Sequence, residues 1–470
     1  MEISKMNSKE NKRNLWKEVN FDKYQYHVTI STIGSTTESA EEVGDKIVYM
    51  EDLGKRKQAY GICGECNEPG TGQDWCQPCN SKRFKDNFKN WTGGNKDIDE
   101  FIQQSQLNAV HCKKYIEWIP FENFKDITYI TRGGFGKIYS AEWLEGNIYS
   151  WDIENQKWDR ISNTKVALKS LDNSSCVSTE FLNEIKTHLQ IYLWDVIQCY
   201  GITQDPNTKD YIMVLEYCKD GNLRNYYLNN ESDYYSKIDI LQEIARGLLD
   251  IHNARKVHKD FHLGNILHND SFPLISDLGM CQPANNEKQS VKQEGIYGVL
   301  PYMAPEVLRG YKYTKASDIY SFGIMMNEYI SEETPYNNIP HNHALAIKIC
   351  KGLRPNIFKY TPKLLAELIT KCWDAKAENR PTAKELRQKL FQSDIYSQEN
   401  EYNDKIKLNR TSEKRSNNIQ IHPQAIYTSR LLSFKNLSEP VNSDSECFDC
   451  QLDELDLDEI NQEEENNNTK

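Results

Sequence analysis

The chain has 470 residues, of which 38% are hydrophobic and 27% are charged, proportions typical of a globular protein with a substantial core. Its net charge of −12 is concentrated in residues 441–470. The rest is therefore close to neutral, which argues against nucleic acid as a partner. A membrane-spanning helix is excluded because no stretch approaches about 20 apolar residues, and we expect an intracellular protein, assigned to the cytoplasm without excluding the nucleus.

Residues 1–57 are polar and weakly patterned, which predicts a disordered N-terminal segment. The next segment, residues 60–85, contains two Cys-x-x-Cys pairs nine residues apart. Their members are Cys63, Cys66, Cys76 and Cys79. Each pair places two thiols on one turn, and two such turns can close a tetrahedron around Zn²⁺. We expect a small zinc-ribbon-like module with structural Zn²⁺; redox-active or unliganded thiols are the alternatives.

Residues 97–120 follow as a predicted helical linker, because Ile98, Phe101 and Ile102 are spaced for one apolar face. Beyond the linker, residues 124–392 show strands first and helices afterwards. This order predicts an α+β domain with two lobes.

The first element of this domain is a strand, a glycine turn and a second strand between Ile127 and Tyr139, with the turn motif at residues 131–138. Its glycines are Gly133, Gly134 and Gly136. Glycines allow a backbone to approach phosphates that a Cβ would block, although glycine-rich hairpins are also common without a ligand.

Three further elements follow in chain order. The run Val166-Ala167-Leu168-Lys169 is a predicted strand, and residues 179–193 are a predicted helix with Glu184 among its polar positions. Residues 211–218 read as a buried strand that enters a polar linker.

The most informative stretch is His-Lys-Asp-Phe-His-Leu-Gly-Asn at residues 258–265, with Asp277-Leu278-Gly279 twelve residues later. An Asp four residues before an Asn, followed by Asp-x-Gly, provides the side chains needed for phosphoryl transfer on magnesium. Any one of these residues alone could belong to an ordinary surface turn.

Together these segments resemble the eukaryotic protein kinase family, most of all its tyrosine-kinase-like serine/threonine group. Ala304-Pro305-Glu306 and the Arg380-Pro381 pair extend the resemblance towards residue 390. The resemblance implies a bilobal fold with a small, mostly β N-lobe and a large, mostly α C-lobe. It also implies an insertion at residues 146–163, where the small-lobe hairpin is longer than the family usually needs.

The resemblance implies roles for individual residues. Asp260 would orient the attacking hydroxyl, and Glu184 would hold Lys169 against the nucleotide phosphates, unless Glu184 is only a solvated helix charge. Asn265 and Asp277 would bind Mg²⁺. ATP would be bound by Thr131, Gly133, Gly134, Gly136, Ile138, Ala167, Lys169, Leu215, Glu216 and Cys218. A plain core strand would fit the last three positions equally well.

The sequence departs from the family pattern at three positions. Lys259 replaces the Arg before Asp260, and Lys grips a phosphate less specifically than Arg does. His262 and Val299 replace a Lys and a Thr that serine/threonine kinases usually carry. His262 could supply positive charge as a catalytic residue or could be a neutral side chain bonded to the backbone. Because Lys259 replaces that Arg, we expect activation by a phosphate on Ser290 or Tyr297 to be possible but weakened.

Residues 396–470 are rich in Asn, Ser, Glu and Lys, which predicts a disordered tail that is acidic from residue 441 and could dock a partner. We expect an ATP- and Mg²⁺-dependent kinase that phosphorylates serine or threonine in protein substrates. A nucleotide-binding pseudokinase scaffold and a tyrosine or dual-specificity kinase are the alternatives.

Overall fold

The computed structural model describes residue 16 and residues 28–30, 47–133, 136–171, 178–191, 195–270, 272–284, 295–396, 399–411 and 421–442. The N-terminal part contains β1 (Val28–Ile30), β2 (Ile47–Tyr49), α1 (Leu53–Tyr60), α2 (Gln77–Asn87) and α3 (Lys96–Leu107). Residues 47–57 are therefore folded, although the sequence predicted disorder as far as residue 57. The reason is a buried Arg56, whose guanidinium donates to the carbonyls of Met50 and Gly70. These bonds fix the segment against residues 60–85, here called the cysteine-rich module.

The small lobe is a six-stranded sheet in the order β3-β9-β10-β8-β5-β4. The strands and the helix that packs on them are β3 (Glu117–Trp118), β4 (Phe124–Gly133), β5 (Gly136–Trp143), β6 (Asn147–Asp152), β7 (Lys157–Ile161), β8 (Thr164–Leu171), α4 (Thr179–Gln190), β9 (Cys199–Gln204) and β10 (Tyr211–Glu216), with β6 and β7 forming a separate hairpin. Side chains alternate across a strand. In β8, Val166 and Leu168 therefore fill one apolar cluster, while Ala167 and Lys169 lie on the opposite face.

The predicted linker is helical only as far as Leu107. Asn95 caps the start of α3 by accepting from the amide of Ile98, and the chain turns after Asn108 before it enters β3 as an edge strand. Helix α3 has a predicted apolar face, and its Ile98 and Ile102 are fully buried.

The insertion at residues 146–163 forms the β6–β7 hairpin, which packs on the cysteine-rich module. Trp158 stacks on Phe84 with ring centroids 4.9 Å apart, and the Arg83 guanidinium lies 4.2 Å from the centroid of the Trp151 ring. The indole of Trp75 donates to the carbonyl of Ala109 at 2.7 Å. The aromatic residues of the insertion therefore provide an apolar surface that the short module lacks by itself.

The large lobe is mainly helical. Its elements are α5 (Leu223–Asn229), α6 (Tyr234–Asn253), β11 (Lys256–Val257), β12 (Ile266–Asn269), β13 (Phe272–Ile275), β14 (Gln282–Pro283), β15 (Ile296–Gly298), α7 (Pro305–Leu308), α8 (Lys315–Ser331), α9 (His343–Cys350), α10 (Lys363–Cys372), α11 (Ala383–Leu390), α12 (Glu399–Thr411) and β16 (Arg430–Leu432). Helix α8 is buried from Ser317 to Ser331 and forms the centre of the lobe. In the part of the chain that the structure describes, every helix is too short or too polar to span a lipid bilayer.

Part of the predicted disordered tail is folded. Helix α12 packs on the large lobe because Tyr402 is fully buried, donates to the carbonyl of Ile330 and accepts from the Lys237 ammonium at 3.1 Å. Residues 421–442 also lie on this lobe, where β16 pairs with β15. The prediction of disorder rested on the polar composition of the tail and did not take these few apolar anchors into account. The acidic end of the tail, beyond residue 442, lies outside the described residues.

Candidate active site

Lys169 lies in a cluster of opposite charges. Its Nζ is 2.7 Å from Glu184 Oε1 and 2.8 Å from Asp277 Oδ1. Burial lowers the pKa of Lys169, but the carboxylates of Asp277 and Glu184 outweigh this effect and raise it. Burial raises the pKa of Glu184, and Lys169 partly offsets that rise. The Lys169–Glu184 pair implied by the resemblance is therefore formed, and the alternative of a solvated Glu184 is wrong.

Local structure places both carboxylates beside Lys169. Phe181 and Ile185 of α4 are buried in the small-lobe core, which directs the intervening Glu184 towards the sheet. Asp277 adopts a left-handed backbone conformation with φ of 56°, which is costly for a residue with a Cβ and typical of functional sites. A Cβ at Gly279 would lie 2.9 Å from Glu184 Oε2, so the glycine lets the two segments approach.

Asp260 and Asn265 form a second cluster. The Asn265 amide Nδ2 donates to the Asp260 carbonyl at 2.9 Å and to its Oδ2 at 3.1 Å. Asp260 is 3% exposed. Burial raises the pKa of its carboxyl, but the nearby His262 and hydrogen bonding, including that from Ser429, lower it to about 2. Asp260 is therefore an anion at neutral pH and a suitable acceptor for a substrate hydroxyl.

His262 is held by the backbone. Its Nδ1 accepts from the amide of Gly264 at 3.0 Å, so in the neutral ring the proton lies on Nε2. That Nε2 is 3.6 Å from Asp260 Oδ1, beyond hydrogen-bonding distance. The backbone-bonded arrangement considered from the sequence is thus present, and the Nε2–H side of the ring faces the candidate catalytic carboxylate.

The loop that carries Asp260 is supported by Asp318 of the central helix α8. The amides of His258 and Lys259 donate to the two Asp318 carboxylate oxygens at 2.8 and 3.0 Å. His252 Nε2 lies 3.0 Å from Asp318 Oδ2. Because Asp318 is 1% exposed, these contacts fix the loop to the most buried helix of the large lobe.

Lys259 does not point its charge into open solvent. Its ammonium lies 5.0 Å from the centroid of the Tyr313 ring, and its pKa is lowered because it is partly buried. The point charge expected from the sequence is present, and the structure adds that it lies over an aromatic ring. Tyr297 lies within the described residues, whereas Ser290 lies outside them.

The glycine turn connects β4 to β5. Thr131 pairs with Ile138, and Gly133 pairs with Gly136, while Gly134 lies outside the described residues. A Cβ at Gly136 would fall 2.0 Å from the Ser170 carbonyl oxygen, so only glycine fits at this position, where β5 pairs with β8. This requirement is structural and says nothing about phosphate.

The predicted adenine-binding positions line up on neighbouring strands. Ala167 of β8 pairs with Leu215 of β10, directly before Glu216 at the end of the strand. Leu215 and Cys218 are 5% and 8% exposed. The strand therefore runs into the linker between the lobes as expected, and the roles of these residues in nucleotide binding stay predictions.

The donor set fits a magnesium nucleotide. Asn265 uses its amide nitrogen to bind Asp260, which leaves its side-chain oxygen for a metal ion. Asp277 supplies a carboxylate held by Lys169, and hard oxygen donors are those that Mg²⁺ prefers. Lys169 has the charge and position to bind phosphate oxygens. Asn265 and Asp277 would thus hold Mg²⁺, and Lys169 would hold the nucleotide phosphates.

Sequence reasoning missed one residue of this site, Ser429. Its hydroxyl donates to Asp260 Oδ2 at 2.5 Å, although 169 positions separate the two residues. The only sequence signal was a short apolar run, Leu431 and Leu432, directly after Ser429 in an otherwise polar tail.

A buried ion pair in the large lobe also stabilises the region around the active site. Arg380 Nη1 and Nη2 donate to the two Glu306 carboxylate oxygens at 2.7 and 2.8 Å, and the Arg380 side chain is fully buried. The pair ties the end of the segment that follows Asp277 to the helical core.

The chain belongs to the protein tyrosine and serine/threonine kinase family, whose model matches residues 112–390, more than half of the chain. It is 26% identical over 280 residues to tyrosine-protein kinase SPK-1 of Girardia tigrina, covering 57% of this chain and 53% of the relative. It is 30% identical over 319 residues to stress-activated protein kinase alpha of Dictyostelium discoideum, covering 64% of this chain and 46% of the relative.

A probable LIM domain-containing serine/threonine-protein kinase of Dictyostelium discoideum is 31% identical over 190 residues, which cover 40% of this chain and 28% of that protein. The chain thus spans about half the length, or less, of these curated relatives. Their names include both tyrosine and serine/threonine kinases, so family membership does not decide which hydroxyl is the acceptor.

Proposed function

We propose that this protein is an ATP- and Mg²⁺-dependent kinase that transfers the γ-phosphoryl group to serine or threonine hydroxyls of protein substrates. The observation that carries this proposal is the joint placement of Lys169, Glu184 and Asp277 in one ion cluster. Replacing a buried ion cluster by apolar groups is often neutral or stabilising, because burying charges costs desolvation energy. A nucleotide site would account for this cost, because buried charged groups with shifted pKa values are concentrated at functional sites.

In the proposed mechanism, Glu184 holds the Lys169 ammonium towards the cleft, where it would neutralise phosphate charge. Bound Mg-ATP supplies the phosphoryl group and a metal-stabilised leaving group. Asp260 orients the acceptor hydroxyl and accepts its proton as transfer proceeds. A carboxylate with a pKa of about 2 is a weak base, so orientation is its main contribution.

Serine or threonine is favoured over tyrosine by the reach of the acceptor. The hydroxyl that donates to Asp260 in this structure belongs to a serine, Ser429, and is one carbon from its main chain. A tyrosine hydroxyl at the same point would require the main chain to lie several ångströms farther from Asp260.

The pseudokinase alternative rests on Lys259, His262 and Val299. Against it, Asp260, Asn265 and Asp277 are all present, and a scaffold that only binds nucleotide would not need Asp260. We therefore retain the enzyme as the proposal.

The test is transfer of labelled phosphate from Mg-ATP to casein, followed by phosphoamino-acid analysis, with Asp277→Asn as the paired variant. We expect phosphoserine or phosphothreonine in the wild type and its loss in the variant, which keeps the side-chain volume but loses a charge. Phosphotyrosine would contradict the acceptor class. Equal transfer by both proteins would contradict the assigned role of Asp277.

We also propose that the cysteine-rich module holds a structural Zn²⁺. The four Sγ atoms of Cys63, Cys66, Cys76 and Cys79 lie within 4.8 Å of one another. The Cys66 and Cys76 sulfurs are 3.6 Å apart. That separation is close to the edge of about 3.8 Å expected for a tetrahedron with Zn–S bonds of about 2.3 Å, and far from a disulfide bond.

A structural role fits better than a catalytic one because all four donors are thiols, which leaves no open coordination position. We expect about one zinc per chain by elemental analysis, and less in Cys76→Ser, which also lowers the melting temperature. The exposed Lys82→Ala, on α2 close to Cys79, serves as the control. The proposal would be contradicted by a wild type that contains no zinc and by a Cys76→Ser variant whose melting temperature equals that of the wild type.

A further inference from the structure

Residues 421–442, here called the C-terminal segment, lie along the large lobe and are tied to it at both ends. Four hydrogen bonds make these end contacts: His422 N–H to Asn337 O (2.8 Å), His341 N–H to Gln424 O (2.9 Å), Val441 N–H to Cys350 O (3.0 Å) and Ala375 N–H to Asn442 Oδ1 (2.7 Å). Arg309 also forms a two-pronged ion pair with Glu439. The segment therefore follows one defined path across the lobe.

The centre of this path is fixed by His341. The His341 Nε2 donates to the carbonyl of Tyr336 at 3.1 Å, and its Nδ1 accepts from the amide of Ile426 at 3.0 Å. The Tyr427 ring packs edge-on against the His341 ring with centroids 4.9 Å apart. The Arg430 guanidinium donates to the His341 carbonyl at 2.6 Å. Side chains on both sides of Ser429 thus bind the same residue of the lobe.

After Ser429 the segment becomes a β-strand. Its β16 pairs antiparallel with β15, so that Arg430 faces Gly298 and Leu432 faces Ile296. Leu432 is 8% exposed and belongs to the large-lobe core, whereas Leu431 is 72% exposed. Strand addition with one buried anchor is a common way of binding an extended peptide.

This register presents Ser429 to Asp260. The Ser429 hydroxyl donates to Asp260 Oδ2 at 2.5 Å, and the Tyr297 hydroxyl donates to the Ser429 carbonyl at 3.1 Å. The neighbouring hydroxyl residues Thr428 and Ser433 are exposed to solvent. The segment therefore aligns one hydroxyl with the carboxylate that the mechanism requires.

We propose that the C-terminal segment is an intramolecular substrate: it occupies the acceptor groove beside Asp260, and Ser429 is phosphorylated within the same chain. This inference rests on the kinase activity proposed above. It goes beyond that activity by naming the modified residue and the segment that excludes other substrates from the groove.

The transfer is balanced by the groups already named. The Ser429 Oγ forms a bond to the γ-phosphorus of ATP while the bond from that phosphorus to the β–γ bridging oxygen breaks. ADP leaves with the bonding electrons, and the hydroxyl proton passes to Asp260 and then to solvent. No other reactant is needed.

Phosphorylation would also release the segment. A phosphoserine carries a charge of about −1.5 to −2, which would lie beside the anionic Asp260 and replace an attractive hydrogen bond by like-charge repulsion. Before that step, the segment competes with other substrates at an effective concentration of about 1 mM, typical of a short tether. For a segment dissociation constant of about 0.1 mM, within the usual range of KM values, transfer to another protein would be slowed about tenfold.

The experiment uses the full chain, treated with phosphatase, freed from it, and then given Mg-ATP and casein. Phosphate at Ser429 and on casein is followed by mass spectrometry. Ser429→Ala removes the acceptor, and Ser433→Ala is the matched control with an exposed hydroxyl. Leu432→Asp removes the buried anchor without touching Asp260 or the nucleotide site.

We expect Ser429 to be phosphorylated in the wild type and in Ser433→Ala at a rate per chain that is unchanged by about tenfold dilution. Leu432→Asp should lose that phosphate and phosphorylate casein about tenfold faster than Ser429→Ala, in which the segment cannot be released by phosphorylation. Phosphorylated casein with unmodified Ser429 in the wild type would overturn this inference and leave the kinase proposal intact. A rate proportional to protein concentration would overturn the intramolecular step. No transfer to either acceptor by a folded protein would overturn the kinase proposal, and this inference with it.

Discussion

Ile102 lies before residue 112, where the match to the kinase family begins, yet the structure connects it to the active site. It is fully buried in the same hydrophobic cluster as Phe181 and Ile185 of α4, the helix that carries Glu184. We therefore expect Ile102→Ala to lower both stability and catalytic rate, because the cluster holds α4 where Glu184 reaches Lys169.

The magnitude follows from burial. Truncating a buried Ile to Ala costs about 2–5 kcal/mol, because apolar contacts are lost and a cavity is left. If about 1.4 kcal/mol of this cost is expressed as displacement of α4, the equilibrium constant for forming the Lys169–Glu184 pair falls about tenfold, which sets the upper limit of the loss in kcat. The remaining cost is expressed in global unfolding.

The assay combines urea unfolding with initial rates of phosphate transfer at a temperature where the variant is fully folded. The matched control is Ile369→Ala, which is equally buried but lies on α10 in the large lobe. We expect similar losses of stability and a larger loss of kcat for Ile102→Ala, by a factor of up to about ten. Equal kcat values for the two variants would refute the connection between α3 and the active site.

Three further predictions follow from single contacts. Glu184→Gln keeps the side-chain shape but loses the charge next to Lys169, so kcat should fall about 100-fold in initial-rate assays; an unchanged kcat would remove Glu184 from the mechanism. Glu306→Gln leaves the buried Arg380 without its ionic partner and should cost about 3–5 kcal/mol in urea unfolding, whereas a loss below about 1 kcal/mol would mean that the pair is dispensable. Burial and the neighbouring Asp195 raise the pKa of Asp250 to about 7. The contribution of Asp250 to stability is therefore complete below its unfolded pKa of about 3.9 and is lost as pH rises through about 7. Asp250→Asn should raise the melting temperature more at pH 8 than at pH 5, and an equal gain at both values would contradict the shift.

The kinase core was predictable from the sequence because its signals are local and ordered. The spacing of Asp260, Asn265 and Asp277 indicated the site, and the periodicity of α4 placed Glu184 on a helix. The structure adds that the Lys169 ammonium contacts Asp277 as well as its predicted partner Glu184.

Two parts of the fold were not predictable in this way. The insertion at residues 146–163 was visible, but its packing against the cysteine-rich module depends on aromatic residues far apart in sequence, such as Phe84 and Trp158. The C-terminal segment was hidden by its composition, since the polar residues around Leu432 indicate disorder when averaged. Its order depends on a few anchors whose partners lie more than 80 residues away.

The central claim is that Asp260 acts at a site for phosphoryl transfer. The most direct measurement compares the initial rate of transfer from Mg-ATP to casein by the wild type and by Asp260→Asn, with Mg-ATP binding measured for both. The account predicts similar nucleotide affinity and a rate at least about 100-fold lower in the variant. Equal rates, or a wild type that binds Mg-ATP and transfers nothing to casein or to itself, would contradict it.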